Sequence, residues 1–118
     1  MRRDTTIGIQ AQKFLPLTPA VFHILMALSR GRKHGYGIIV DIRRQTEGEI
    51  RMGTGTLYTA VKRLLGQDLV EQSQEADEKG EDRTLYSLSP LGEAVLRAEA
   101  RRLHRAVELA ERNSVLES

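Results

Sequence analysis

The segment TGTLYTAVKRLLG, Thr54 to Gly66, constrains this chain more than any other. At 100° per residue, Leu57, Val61, Leu64 and Leu65 share one face, with Ala60 at its edge. Gly55, Thr59, Lys62, Arg63 and Gly66 occupy the opposite face, flanked by Thr56 and Tyr58. A helix with a single apolar side lies on a core and presents its other side outward. That outward side has short chains at its start and cations toward its end. The glycines of MGTGT, Met52 to Thr56, admit two chemistries. They could cradle the phosphates of a nucleotide cofactor, or open a helix that meets the phosphates of DNA.

The other elements decide between these. Thr18 and Pro19 form a cap-and-proline start for a helix with Val21, Ile24, Leu25 and Leu28 at helical spacing, stopped near Gly31. Phe22 and Met26 add a second apolar stripe, so more than one neighbour must cover this helix. In HGYGIIVDIRRQTEGE, the β-branched run allows a strand, but Ile38 and Ile42 four apart favour a helix closed near Gly48. After Gly66, DLVEQSQ and RTLYSLS alternate as strands do, with Leu69, Leu85 and Leu88 expected to point inward. The loop EADEKGED, with Lys79–Gly80 as its turn, joins them into a hairpin. Ser89–Pro90 opens a last helix that runs to about Asn113. Along it Leu96, Ala100, Leu103, Val107 and Ala110 recur at intervals of four and three, the seam of a short coiled coil. No other segment is left to cover that seam, which points to a second copy of the chain; folding back on its own core is the alternative. The first dozen residues have weak periodicity, and their conformation is left open.

The order helix, helix, helix, hairpin, helix gives a mainly α fold with a small β-hairpin (α+β), a winged helix-turn-helix. Its third helix, about 54–66, enters the major groove and its wing, about 69–89, reaches the flanking backbone. Three regions are expected: an N-terminal extension over 1–16, a DNA-binding domain over 17–89 and a dimerisation helix over 90–118. Threonine hydroxyls serve base donors or acceptors, and Lys62 and Arg63 neutralise backbone charge.

Charge supports this reading. The net charge of +2 hides eleven Lys/Arg against six Asp/Glu up to Gln74, and five acids against Lys79 alone in residues 75–82. One acidic loop thus masks a basic body suited to a polyanion. With 118 residues, 40% apolar and 29% charged, the chain reads as one soluble domain. No apolar run is long enough to span a bilayer and MRRDTTIGIQ lacks a signal-peptide core, so the expected location is cytoplasmic. Without cysteine there is neither a disulfide nor a thiolate metal site.

LTPAVFHILMALSRGRKHGYGIIVDI, GTGTLYTAVKRLLGQDLVEQ and RTLYSLSPLGEAVL together resemble the PadR-like transcriptional regulators, over roughly Leu17 to Leu103. The most specific pieces are HGY, GTLY, and Tyr86 with Gly92 around SLSPLG. The resemblance implies a bacterial dimeric repressor, in some relatives released from DNA by phenolic acids, drugs or other small molecules. It places Tyr36, Thr56, Tyr58 and Lys62 at positions that approach DNA. With Thr54, Gly55, Thr59 and Arg63 on the same helix, and Lys79 and Arg83 on the wing, these make up the candidate DNA contacts. Two departures stand out: Thr59 replaces a proline common after that tyrosine, and the wing, basic in relatives, is acidic here. Lacking tryptophan, the chain cannot clamp a flat ligand between indoles; a small hydrophobic or aromatic effector would use Phe22, Met26, Leu103 and Val107.

The resemblance answers the opening question in favour of DNA. A P-loop needs lysine after its closing glycine, and Thr56 follows Gly55. No cofactor is expected. His23, His34 and His104 lack ligand-spaced companions, so neither a metal nor an enzyme is expected; His34 is read as a helix cap or a phosphate contact. The rival is a winged protein-interaction module that has lost DNA affinity, kept open by the acidic wing.

Overall fold

A computed structural model of the chain describes residues 2–117. Its elements are α1 (Arg2–Gln12), α2 (Pro19–Leu28), α3 (Gly35–Gln45), α4 (Thr54–Gly66), β1 (Val70–Ala76), β2 (Asp82–Leu88) and α5 (Pro90–Arg112). Local chemistry explains the starts. The Thr18 hydroxyl accepts from the Val21 N–H at 3.2 Å, His34 Nδ1 from the Gly37 N–H at 3.2 Å, and the Ser89 hydroxyl from the Gly92 N–H at 2.9 Å. Each oxygen or ring nitrogen satisfies an amide that the first helical turn leaves without a partner. His34 is therefore the cap that its position before α3 suggested.

Ile24, Leu25 and Leu28 of α2, Ile38 and Ile42 of α3, and Leu57, Val61 and Leu64 of α4 are buried together. Leu69, Val70, Tyr86, Val95 and Leu96 close the core from the wing and α5. α4 ends in a Schellman turn: Asp68 takes φ 61°, the Leu69 N–H reaches the Leu64 carbonyl at 3.0 Å, and the Asp68 N–H reaches that of Leu65 at 3.1 Å. This turn throws the chain straight into β1. The wing's base is clamped to α5, with the Ser89 N–H on the Leu69 carbonyl at 3.1 Å. Gly92 lies so close to that carbonyl that a Cβ there would collide with it, so the position requires glycine.

The strands pair antiparallel from Val70–Leu88 to Ala76–Asp82. One expectation for them needs correction. Tyr86, not Leu85, is the buried residue of β2, while Leu85 and Leu88 are half-buried. Lys33 sets this by bridging to Tyr86, through bonds of 2.8 and 3.1 Å between their backbones. The pairing fixes which side of β2 faces the helices.

The segment left open by its weak periodicity forms α1, which packs along α5. Ile7, Ala11 and Gln12 of α1 share a groove with Ala94, Ala98 and Arg101 of α5, and Ala11 is fully buried. α1 thus covers the face of α5 opposite the seam, not the seam itself. The seam itself divides. Leu96 belongs to the protomer's own core at 8% exposure, whereas every residue from Ala100 to Leu109 is exposed and Ala110 is half-buried. α5 leaves the core after Glu99 and carries Leu103 and Val107 out with it. No helix among the described residues is long and apolar enough to cross a membrane.

Candidate nucleic-acid interface

α4 divides its residues between core and water as its periodicity requires. Leu57, Val61 and Leu64 are buried; Thr54, Gly55, Thr56, Tyr58, Thr59, Lys62 and Arg63 are exposed. α2, α3 and α5 each start with a side-chain cap, whereas α4 starts at Gly53, which has no side chain to offer. Its first amides and the positive end of its dipole are left to solvent or to an anion.

Tyr58 links this face to a second feature. Its ring lies over Gly35, close enough that a Cβ on Gly35 would strike the phenol hydroxyl. His34, Tyr36, Tyr58, Arg83, Thr84 and Tyr86 surround the resulting groove of about 460 Å³. Tyr36 is 67% exposed and Tyr58 47%, so two phenols stand at its mouth. Tyr86 lies at its floor, where burial, and then the neighbouring Tyr58, push its hydroxyl above the usual phenol range. A cleft walled by hydroxyls, an imidazole and one guanidinium suits a sugar–phosphate strand better than an apolar ligand.

The structure thus gathers Tyr36, Tyr58 and Arg83 in one groove and Thr54, Gly55, Thr56, Thr59, Lys62 and Arg63 on the adjoining helix. Lys79 lies apart, at the exposed turn of the wing. Asp77 organises that turn, its Oδ1 accepting the N–H groups of Lys79 at 2.8 Å and Glu81 at 2.9 Å. Its other oxygen lies 3.7 Å from Arg83 Nε, and Glu75 pairs with Arg32 at 2.6 Å. Two of the wing's acids, Glu75 and Asp77, therefore face arginines of the same protomer. Sequence reasoning left Thr84 and Tyr86 out of the candidate contacts, although strand alternation along RTLYSLS puts both on one face.

The residues expected to form an effector pocket do not converge. Met26 lines a cavity of about 500 Å³ with Leu28, Leu88, Leu96, Arg97 and Ala100, but Phe22, Leu103 and Val107 do not. Phe22 instead sets its ring edge-on to His23 at 5.3 Å, and Leu103 and Val107 lie beyond the point where α5 leaves the core. No cluster of His, Asp and Glu among the described residues could hold a metal.

A three-helix core with an outward polar helix and a hairpin directly after it defines a winged helix-turn-helix protein. The model of the transcriptional regulator PadR-like family matches residues 24–98, well over half of the sequence, and the chain belongs to that family. A transcriptional regulator from Clostridium thermocellum has a similar structure, with TM-score 0.66 and 24% identity over 78% of this chain and 89% of that one. A PadR-like regulator from Bacillus cereus gives TM-score 0.70 at 18% identity, covering 84% and 92% of the two chains. Bacillus subtilis PadR in complex with operator DNA gives 0.62 at 18% identity, covering 70% and 47%. In sequence, an uncharacterized 37.1 kDa protein in transposon TN4556 of Streptomyces fradiae is 39% identical over 82 residues; the chain spans 22% of that protein's length.

Proposed function

We propose that this member of the PadR-like family is a homodimeric repressor that binds an inverted repeat in double-stranded DNA. The observation that carries the reading is the exposed face of α4, with its uncapped start and its Tyr58 shared with the groove of Tyr36 and Arg83. In this reading Thr54, Gly55, Thr56 and Thr59 approach base edges and phosphate, and Lys62 and Arg63 neutralise the backbone. Tyr36, Tyr58 and Arg83 hold one strand beside the helix, with Lys79 reaching further along it. The structural similarity to a PadR bound to operator DNA supports the docking mode. Repression needs no further surface, since occupying an operator suffices to block transcription.

The exposed Leu103 and Val107 support pairing through α5, with Ala100 and Ala110 continuing the seam and Leu96 anchoring its inner end. A second copy there would remove apolar surface from water and hold two α4 helices on one duplex. Relief by a small hydrophobic effector belongs to the same reading, with the cavity beside Met26 and Leu96 as its seat. The pairing of the wing acids Glu75 and Asp77 with Arg32 and Arg83 favours one alternative, a winged protein-interaction module without DNA affinity.

Titrating the protein with duplex DNA from around its own gene at increasing salt separates the two. Operator binding through several Lys/Arg–phosphate contacts lowers log K by about 0.9 per contact for each decade of salt. Salt-independent association, or none, would leave the interaction module standing.

A further inference from the structure

Gly35 lies in the first turn of α3, is buried, and has no positive φ. Its conformation therefore does not call for glycine, and alanine would favour the helix. Space does call for it. A methyl group on Gly35 would lie 2.6 Å from Cζ and 2.8 Å from Cε1 of Tyr58, and closer still to its hydroxyl. The contact differs in kind from that at Gly92, where a methyl would meet the Leu69 carbonyl. Backbone yields little there, so Gly92 protects the fold. The Tyr58 ring instead ends a flexible side chain that is 47% exposed, and it can swing aside at little cost. Gly35 thus protects the position of one side chain.

We infer that Gly35 is a positioning residue for DNA binding, an assignment that rests on the proposed function. By offering no Cβ beneath the ring, it seats the Tyr58 phenol in the groove shared with Tyr36, Arg83 and Tyr86. A long side chain on the solvated side of a helix has several rotamers open to it. Against Gly35 the Tyr58 ring is held in one of them before any strand arrives. Fixing a free side chain only on binding would weaken affinity by about two- to twelvefold, a loss that seating it in advance avoids. The contact also ties α4 to the start of α3. Tyr36, next to Gly35 in sequence, and Tyr58 therefore keep one spacing as the two phenols at the mouth of the groove. Gly35 itself, buried beneath the ring, acts on DNA only through Tyr58.

A double-mutant cycle on the full chain tests this, read by fluorescence anisotropy with duplex DNA from around its own gene. Gly35→Ala should melt near the temperature of the original chain yet bind about tenfold more weakly. Tyr58→Ala should weaken binding at least as much. Adding Gly35→Ala to it should change affinity by less than about twofold, because the methyl then has no ring to displace. In NMR spectra the Gly35 Hα protons should carry a ring-current shift that Tyr58→Ala abolishes. Additive losses, early melting of Gly35→Ala, unweakened binding by that variant or an absent ring-current shift would each overturn the positioning role and leave the DNA reading intact. If the original chain binds no duplex while the shift is present, the DNA reading fails and the positioning role with it.

Discussion

Gly53 and Lys62 mark the two ends of what α4 can do. Gly53 leaves the helix start uncapped, a deficit that costs stability unless solvent or an anion supplies the acceptors. Lys62, toward the other end of the helix, is exposed on the face that carries Gly55 and Thr59. A lysine reads charge rather than sequence, so Lys62→Ala should weaken binding to every duplex alike. The salt slope should flatten by about 0.9 for each lysine–phosphate contact removed, as measured by fluorescence anisotropy across a salt series. An unchanged slope would remove Lys62 from the interface. In the proposed function Thr56 would act differently, because a hydroxyl can distinguish a base edge. Thr56→Val keeps the shape and removes the hydroxyl, so discrimination at one operator position should relax by about 1 kcal/mol. Competition binding with single-base operator variants reads this, and an unaltered preference at every position would argue against direct readout.

Among the elements, α1 and α5 show how far sequence reading extends. α4 was legible to its last residue because Leu57, Val61 and Leu64 impose one period that nothing else interrupts. α1 was not, since Ile7, Ile9 and Ala11 give too weak a stripe, and its place is set by α5. The inward face of β2 was misread for a related reason: apolar alternation favours Leu85, but backbone pairing with Lys33 turns Tyr86 inward. Least legible was Glu99, a charge that looks like surface in the sequence and is 1% exposed in the fold. Its Oε2 accepts the Leu17 N–H at 2.7 Å while Arg102 pairs with the same carboxylate, tying the chain ahead of α2 to α5. The Arg102 hydrogen bond holds the Glu99 carboxyl below its ordinary range against the opposing effect of burial, and the Leu17 amide helps. A depressed carboxylate contributes stability above its unfolded-state pKa and loses it as the pH falls through the folded value. Glu99→Ala should therefore cost about 1–3 kcal/mol at neutral pH, mostly by stranding the Leu17 amide. The gap between the variant and the original chain should narrow in acid. Urea unfolding at pH 7 and below pH 4 checks both, and a pH-independent difference would contradict the charge-based account.

Across the whole molecule, α5 and the wing set how the interface would be presented. α5 carries Leu103 and Val107 beyond the protomer's core, on a surface no described segment covers. Under the proposed dimer, Leu103→Glu sets like charges across the seam and should give monomers in sedimentation velocity, with operator affinity lost in parallel. A variant that stays dimeric would move the main interface elsewhere. The acidic wing supplies the opposing consideration, because its carboxylates repel phosphate and occupy Arg83 and Arg32. Under the proposed function, operator DNA would therefore be gripped mainly by α4 and the tyrosine groove, with less from the tip of the wing. Hydroxyl-radical footprinting of the purified protein on the DNA around its own gene tests this most directly. Two protected half-sites of an inverted repeat, about one helical turn apart and on one face of the duplex, are the expected result. Uniform cleavage along that DNA at low salt would contradict it.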